Sequence, residues 1–128
     1  MSENEIRVMS LYNDISLLRN NLHDNQEKLQ RLRLAKSEIS NEQGELSAQK
    51  RLLSEPDLSH SLWAGKHATE FLNIRENIEQ SYVTIITQQV EALLEDIEGK
   101  ITQLEHANNG ISTSIVSKNE TIDQLKTK

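Results

Sequence analysis

Apolar residues recur along the first half of this chain at alternating steps of four and three. Every seventh residue reads Leu11, Leu18, Asn25, Leu32, Ile39, Leu46 and Leu53, and the companion set reads Val8, Ile15, Leu22, Leu29, Lys36, Gln43 and Lys50. A seam of this kind keeps one stripe of a helix against a neighbour along its whole length, so the spacing predicts a long helix over about 3–53. Ser2-Glu3-Asn4-Glu5 opens it with capping-box spacing. The companion set turns polar at Lys36, Gln43 and Lys50, which predicts a narrower contact in that half. Asn25, polar on the seam, is read as fixing register at some cost in stability.

Pro56 cannot continue a helix, and 54–65 is the one credible break in the chain. A second arm is predicted over about 66–126. It begins Ala68, Phe71, Leu72, Ile74, Ile78, Tyr82, Ile85, Ile86 and Val90. The seam then runs on through Leu94, Ile97, Ile101, Leu104, Asn108, Ile111, Ile115, Lys118, Ile122 and Leu125, in steps of three and four. Asn108-Asn109-Gly110 is a turn signal and Gly99 a weak one, yet the phase passes through both unchanged. A turn has no reason to preserve phase, so the reading is one long helix with a soft spot there, against a third short helix as the alternative.

These elements make an all-α fold, a long antiparallel two-helix hairpin in a single domain of 128 residues. Its arms would be rods of about 75 to 90 Å. Its seam is read as Leu11, Leu18, Leu32, Ile39, Leu46, Leu53, Ile97, Ile101, Leu104 and Ile111. Residues 71–94 carry more apolar groups than one stripe needs, with Leu72, Ile74, Ile86 and Leu93 beside the main seam. Surplus apolar surface on a hairpin marks an interaction face. Ala68, Phe71, Leu72, Ile74, Ile78, Tyr82, Ile86, Val90 and Leu93 are therefore the candidate partner-binding residues. Alone, the chain is expected to self-associate as a homo-oligomer.

Composition narrows the function classes. The net charge of −6 argues against nucleic acid as the main partner. With no cysteine there is no disulfide framework, thiol catalysis or cysteine-based metal site. No two of His23, His60, His67 and His106 have the three- or four-residue spacing of one helical face, and no acidic cluster accompanies them, so they are read as surface residues, not metal ligands. Lys28, Arg31, Arg33 and Lys36 form a basic run without interleaved aromatics, which suits a solvated face or a partner salt bridge. No phosphate loop or nucleophile motif is present. The expectation is a protein that is not an enzyme and needs no cofactor. The start, Met1-Ser2-Glu3-Asn4-Glu5, lacks the basic-then-apolar order of a signal peptide, and Val83–Thr87 is far too short to span a bilayer. Synthesis in the cytoplasm is expected.

Trp63 is the single tryptophan and stands at the predicted hairpin point, two residues before Gly65. It could simply plug the open end of the hairpin. Leu62-Trp63-Ala64-Gly65-Lys66-His67-Ala68-Thr69-Glu70-Phe71 resembles the Trp-x-Gly segment of the small helical-hairpin proteins of type VII secretion. Most similar is the YwqH-like branch, whose members accompany LXG-domain toxins as LXG-associated α-helical proteins. The likeness covers a heptad arm, a Pro-containing connector, Trp-x-Gly, a downstream Ala and Phe, and a long second arm.

The resemblance implies a targeting chaperone that binds the N-terminal helical domain of an LXG toxin, often beside a second small helical protein. The complex would meet the membrane only through the secretion machine, and the chain would either stay behind or leave with the toxin. It implies a secretion-signal and turn role for Trp63 and Gly65. One departure stands out. The export motif of these systems is an aromatic followed four residues later by an acid, but Tyr12 is followed by Ser16, Phe71 by Arg75 and Tyr82 by Ile86. Another subunit would supply that motif, or Trp63 would be part of a composite signal. The alternative reading is a homo-oligomeric coiled-coil scaffold or tether with no export role, which has no need of Trp63 and Gly65.

Overall fold

The computed structural model describes residues 2–55 and 65–127. Trp63, Pro56 and His60 lie outside the described residues. The chain is an all-α helical hairpin: α1 (Glu3–Gln49), a 3-10 turn (Lys50–Ser54), α2 (Lys66–Thr84), a π-helical segment (Ile85–Gln89) and α3 (Val90–Lys126). No described helix is long and apolar enough to cross a membrane.

α1 starts where the capping box places it. The Glu5 amide donates to Ser2 Oγ at 3.1 Å, and the Ser2 amide donates to Glu5 Oε2 at 3.3 Å. Two of the backbone donors that every helix start leaves unpaired are thereby satisfied. α3 runs unbroken through Gly99 and through Asn108-Asn109-Gly110, because seam contacts on both sides outweigh the roughly 1 kcal/mol a mid-helix glycine costs.

Two compact units divide the structure: Met1–Leu34 with Gly99–Lys128, and Ala35–Glu98. The first unit pairs the start of α1 with α3. Its core is Ile15, Leu29, Ile101, Ile122 and Leu125, each at most 8% exposed. Leu11, Leu18, Asn25, Leu32, Leu104 and Ile111 are half-buried beside them. Asp14 meets Lys118 at 3.6 Å and Arg33 meets Glu105 at 2.8 Å, so numbers fall along α1 as they rise along α3, which makes the pair antiparallel. Lys126 Nζ donates to the Tyr12 hydroxyl at 2.7 Å and lies 5.3 Å from its ring centroid. That hydrogen bond, more than the other nearby charges, holds the Lys126 pKa above its usual value.

One seam position works against stability. Asn108 is half-buried, and its Oδ1 is buried without a hydrogen-bond partner among the described residues. An unpaired buried acceptor costs about 1–3 kcal/mol, and asparagine is a poorer helix former than leucine. Asn108→Leu is expected to stabilise the fold by about 1–2 kcal/mol. A urea midpoint that rises with an unchanged slope would show it; a lowered midpoint would contradict it.

The second unit pairs the end of α1 and the 3-10 turn with α2, the π segment and the start of α3. Ile39, Leu46, Leu53, Leu94 and Ile97 are half-buried here, while Lys50 is exposed. Among the described residues of this unit, Ala68 and Ile86 are buried.

The π segment has a readable cause. Downstream of it the seam alternates three and four, but Tyr82, Ile86, Val90 and Leu94 are three successive steps of four. Each four-residue step turns a position by about 40° on a regular α-helix. Three in a row would rotate the seam away from α1, whose own steps never lose phase. A wider π turn absorbs the extra residue. Val90 N–H accordingly donates to the Ile85 carbonyl, five residues back. The Ile86 carbonyl accepts from Gln43 Nε2 at 2.9 Å, and the same amide reaches Glu91 Oε1 at 2.7 Å. Gln43, read from sequence as an edge residue, is thus a specific partner of the irregular turn.

Candidate functional site

The second unit is fastened near the connector by polar side chains of α2. The last carbonyls of a helix have no partner within it, and α2 supplies some. The Tyr82 hydroxyl donates to the Leu46 carbonyl at 2.6 Å, and Arg75 Nε donates to the Leu53 carbonyl. Ser54 Oγ donates to Glu79 Oε1 at 3.0 Å.

These bonds show which face of α2 meets α1. Ala68, Leu72, Arg75, Glu79 and Tyr82 of α2, followed by Ile86 and Val90, are buried or half-buried in the heptad steps of a helix seam up to Ile86, with half-buried Val83 beside Tyr82. Two of them, Arg75 and Glu79, are charged, and hydrophobicity alone passed over them. The signal was their spacing, 68, 72, 75, 79 and 82, read without regard to polarity.

This placement divides the nine candidate partner-binding residues. Ala68 and Ile86 are buried, and Leu72, Tyr82 and Val90 are half-buried, as seam residues of the hairpin itself. Ile86, read as surplus beside the seam, is corrected to a seam residue at 7% exposure; the π turn carries it inward. The other four lie on the outside. Phe71 is 46% exposed, Ile74 59%, Ile78 51% and Leu93 48%, and Ile85 at 44% joins them. Ile74, Ile78, Tyr82 and Ile85 line a shallow groove together with Asn77 and Ser81. Large apolar side chains at 71, 74, 78 and 85 follow the three-four and seven-residue spacing of a helix-pairing stripe.

Gly65 opens α2. Its φ of 112° and ψ of 169° fall in a region that is nearly closed to residues with a Cβ. Its carbonyl accepts the Thr69 amide and the Thr69 hydroxyl, both at 3.0 Å. Among the described residues beyond its chain neighbours, no atom lies within 4 Å of where a Cβ would stand, so the observed need for glycine lies in the backbone angles. Gly65→Ala is expected to destabilise the fold by about 1–3 kcal/mol, against little change for the exposed neighbour Lys66→Ala. Equal thermal melts for the two variants would contradict this.

Among the described residues no group of three or more His, Asp or Glu side chains could hold a metal ion. His23 lies 3.3 Å from Glu27 and His67 3.7 Å from Glu70, each pair on an exposed helix face. His106 is exposed.

Comparison with known proteins fits this architecture. The family model described as YwqH-like matches residues 7–127. A curated relative, Protein YxiB of Bacillus subtilis (strain 168), is 38% identical over 47 residues, which is 37% of this chain and 39% of that protein. The match thus spans about two fifths of the relative's length. No solved structure matches.

Proposed function

Because this chain belongs to the YwqH-like family, with the match running nearly end to end, we propose that it is a non-enzymatic targeting chaperone for an LXG toxin. It binds the toxin's N-terminal helical domain and promotes export by type VII secretion, with a second small helical protein beside it. It is made in the cytoplasm and reaches the membrane through the secretion machine. The observation that carries the reading is the outward apolar stripe of the second unit, where Ile74, Ile78 and Ile85 stand 44–59% exposed at helix-pairing spacing. Surface of this kind is costly in water and is covered when a helix lies along it. A partner that covers this stripe would also stabilise the folded chain by mass action.

Trp63 and Gly65 take the signal and turn roles. The two act differently. Gly65 shapes the start of α2, whereas Trp63 offers a large aromatic anchor of the sort that dominates binding surfaces. The test is co-expression with the N-terminal helical domain of an LXG toxin, followed by size exclusion and measurement of toxin in the culture supernatant. Wild type is expected to form a soluble complex that melts higher than the chain alone. Trp63→Ala is expected to keep the complex and lose most of the exported toxin. A stable monomer that ignores the toxin domain would overturn the chaperone role, and normal export by Trp63→Ala would overturn the signal role.

A further inference from the structure

The basic run of α1 is divided by the fold. Two of its cations have a carboxylate opposite: Arg33 meets Glu105 within the first unit, and Lys36 meets Glu98 within the second. The other two are arranged differently. Lys28 and Arg31 of α1 and Lys100 of α3 line one groove, and its floor is Leu32, Leu104 and Ala107. All six belong to the first unit. None of the three cations has an ion pair among the described residues, and all three are exposed. Three like charges converging over an apolar floor repel one another. The groove's lining holds these three cations and no carboxylate, in a chain whose net charge is −6, and Asp24, Glu27 and Asp96 stand one turn before Lys28, Arg31 and Lys100 on the same helices.

We propose that this groove is a docking site for an amphipathic helix of another protein, one that carries carboxylates along the edge of its apolar stripe. Leucine-sized side chains of that helix cover Leu32, Leu104 and Ala107. Its Asp or Glu residues, one turn apart, meet Lys28, Arg31 and Lys100 and turn a repulsive cluster into an attractive one. Charge complementarity selects this occupant over a basic helix, which the three cations reject. The site lies in the first unit and depends only on the charge pattern there, so it stands or falls separately from the toxin reading of the second unit.

The full-length chain can be titrated with a labelled synthetic peptide of about three heptads, leucine at the core positions and glutamate at the flanking ones. Fluorescence anisotropy reads the binding. Two double variants change the net charge equally: Arg31→Glu with Lys100→Glu, and Arg33→Glu with Lys36→Glu. Circular dichroism confirms that each is folded at the temperature used. The peptide is expected to bind wild type more weakly as salt rises. The Arg31/Lys100 variant is expected to lose roughly tenfold or more in affinity, and the Arg33/Lys36 variant to lose much less. Equal losses in the two variants would reduce the effect to net charge and overturn the site, as would failure of the acidic peptide to bind at low salt. Vesicles of phosphatidylglycerol that bind through Arg31 and Lys100 while the peptide does not would assign the patch to a membrane surface instead. Dimerisation seen by light scattering and lost in the Arg31/Lys100 variant, again without peptide binding, would assign it to a second copy of the chain.

Discussion

Ile101→Asp is expected to unfold the first unit. Ile101 is 4% exposed and is one of the buried side chains of that unit's seam, with Ile15, Leu29, Ile122 and Leu125 at other levels along it. The substitution removes a buried aliphatic group and puts a carboxylate in its place. Losing the packing costs about 2–5 kcal/mol, and an unpaired charge in an apolar seam adds several more unless the carboxyl takes up a proton. A small domain holds about 5–15 kcal/mol in total. Thr102→Asp, one residue along the same helix and exposed, is expected to stay within about 0.5 kcal/mol of wild type. Chemical denaturation followed by circular dichroism compares the two. If they melt alike, the seam register described here is wrong.

Ile74→Asp combined with Ile78→Asp is expected to do the opposite, leaving the fold intact and removing the partner. These side chains are 59% and 51% exposed, so the new carboxylates stay hydrated and the melting curve should move little. In a complex they would be desolvated against an apolar helix. Central interface residues are worth about 2 kcal/mol or more each, so the pair should weaken binding to the toxin's helical domain by roughly a hundredfold or more. The double variant should also be more soluble alone, because it breaks an exposed apolar stripe. Calorimetric titration with the toxin domain reads the first effect and light scattering of the free chain the second. Unchanged affinity would move the interface off α2. A collapsed fold would show that Ile74 and Ile78 are structural.

The two experiments separate surfaces that sequence periodicity had merged. Phe71, Ile74, Ile78 and Ile86 all read as apolar positions of one helix. Ile86 is buried and the other three are exposed. Arg75 and Glu79 take the inward places that a hydrophobic reading would give to Ile74 and Ile78. They can do so because each has a specific partner on the facing chain: the Leu53 carbonyl for Arg75 and the Ser54 hydroxyl for Glu79. A hydrogen bond to the facing chain lowers the cost of placing a charged side chain on a seam.

What the sequence by itself determined is local and periodic. The capping box at Ser2 and Glu5, the unbroken three-four seam of α1, the continuity of α3 through Asn108-Asn109-Gly110 and the glycine at the start of α2 all follow from neighbours a few residues apart. Helix contacts repeat at three and four residues, so they leave a pattern a reader can follow. What only the tertiary structure decided depends on residues 20 to 70 positions apart. The π turn at Ile85–Gln89 exists because α1 keeps strict phase while the opposite arm carries one residue too many; the three steps of four from Tyr82 to Leu94 are visible in that arm, but the need to absorb them is set by the phase of the other. Likewise nothing in Lys28, Arg31, Arg33 and Lys36 distinguishes one pair from the other. The division appears when antiparallel pairing sets Glu105 and Glu98 opposite Arg33 and Lys36, and brings Lys100 to the groove of Lys28 and Arg31. Charge across a helix pair is set by register, and register is a property of both arms together.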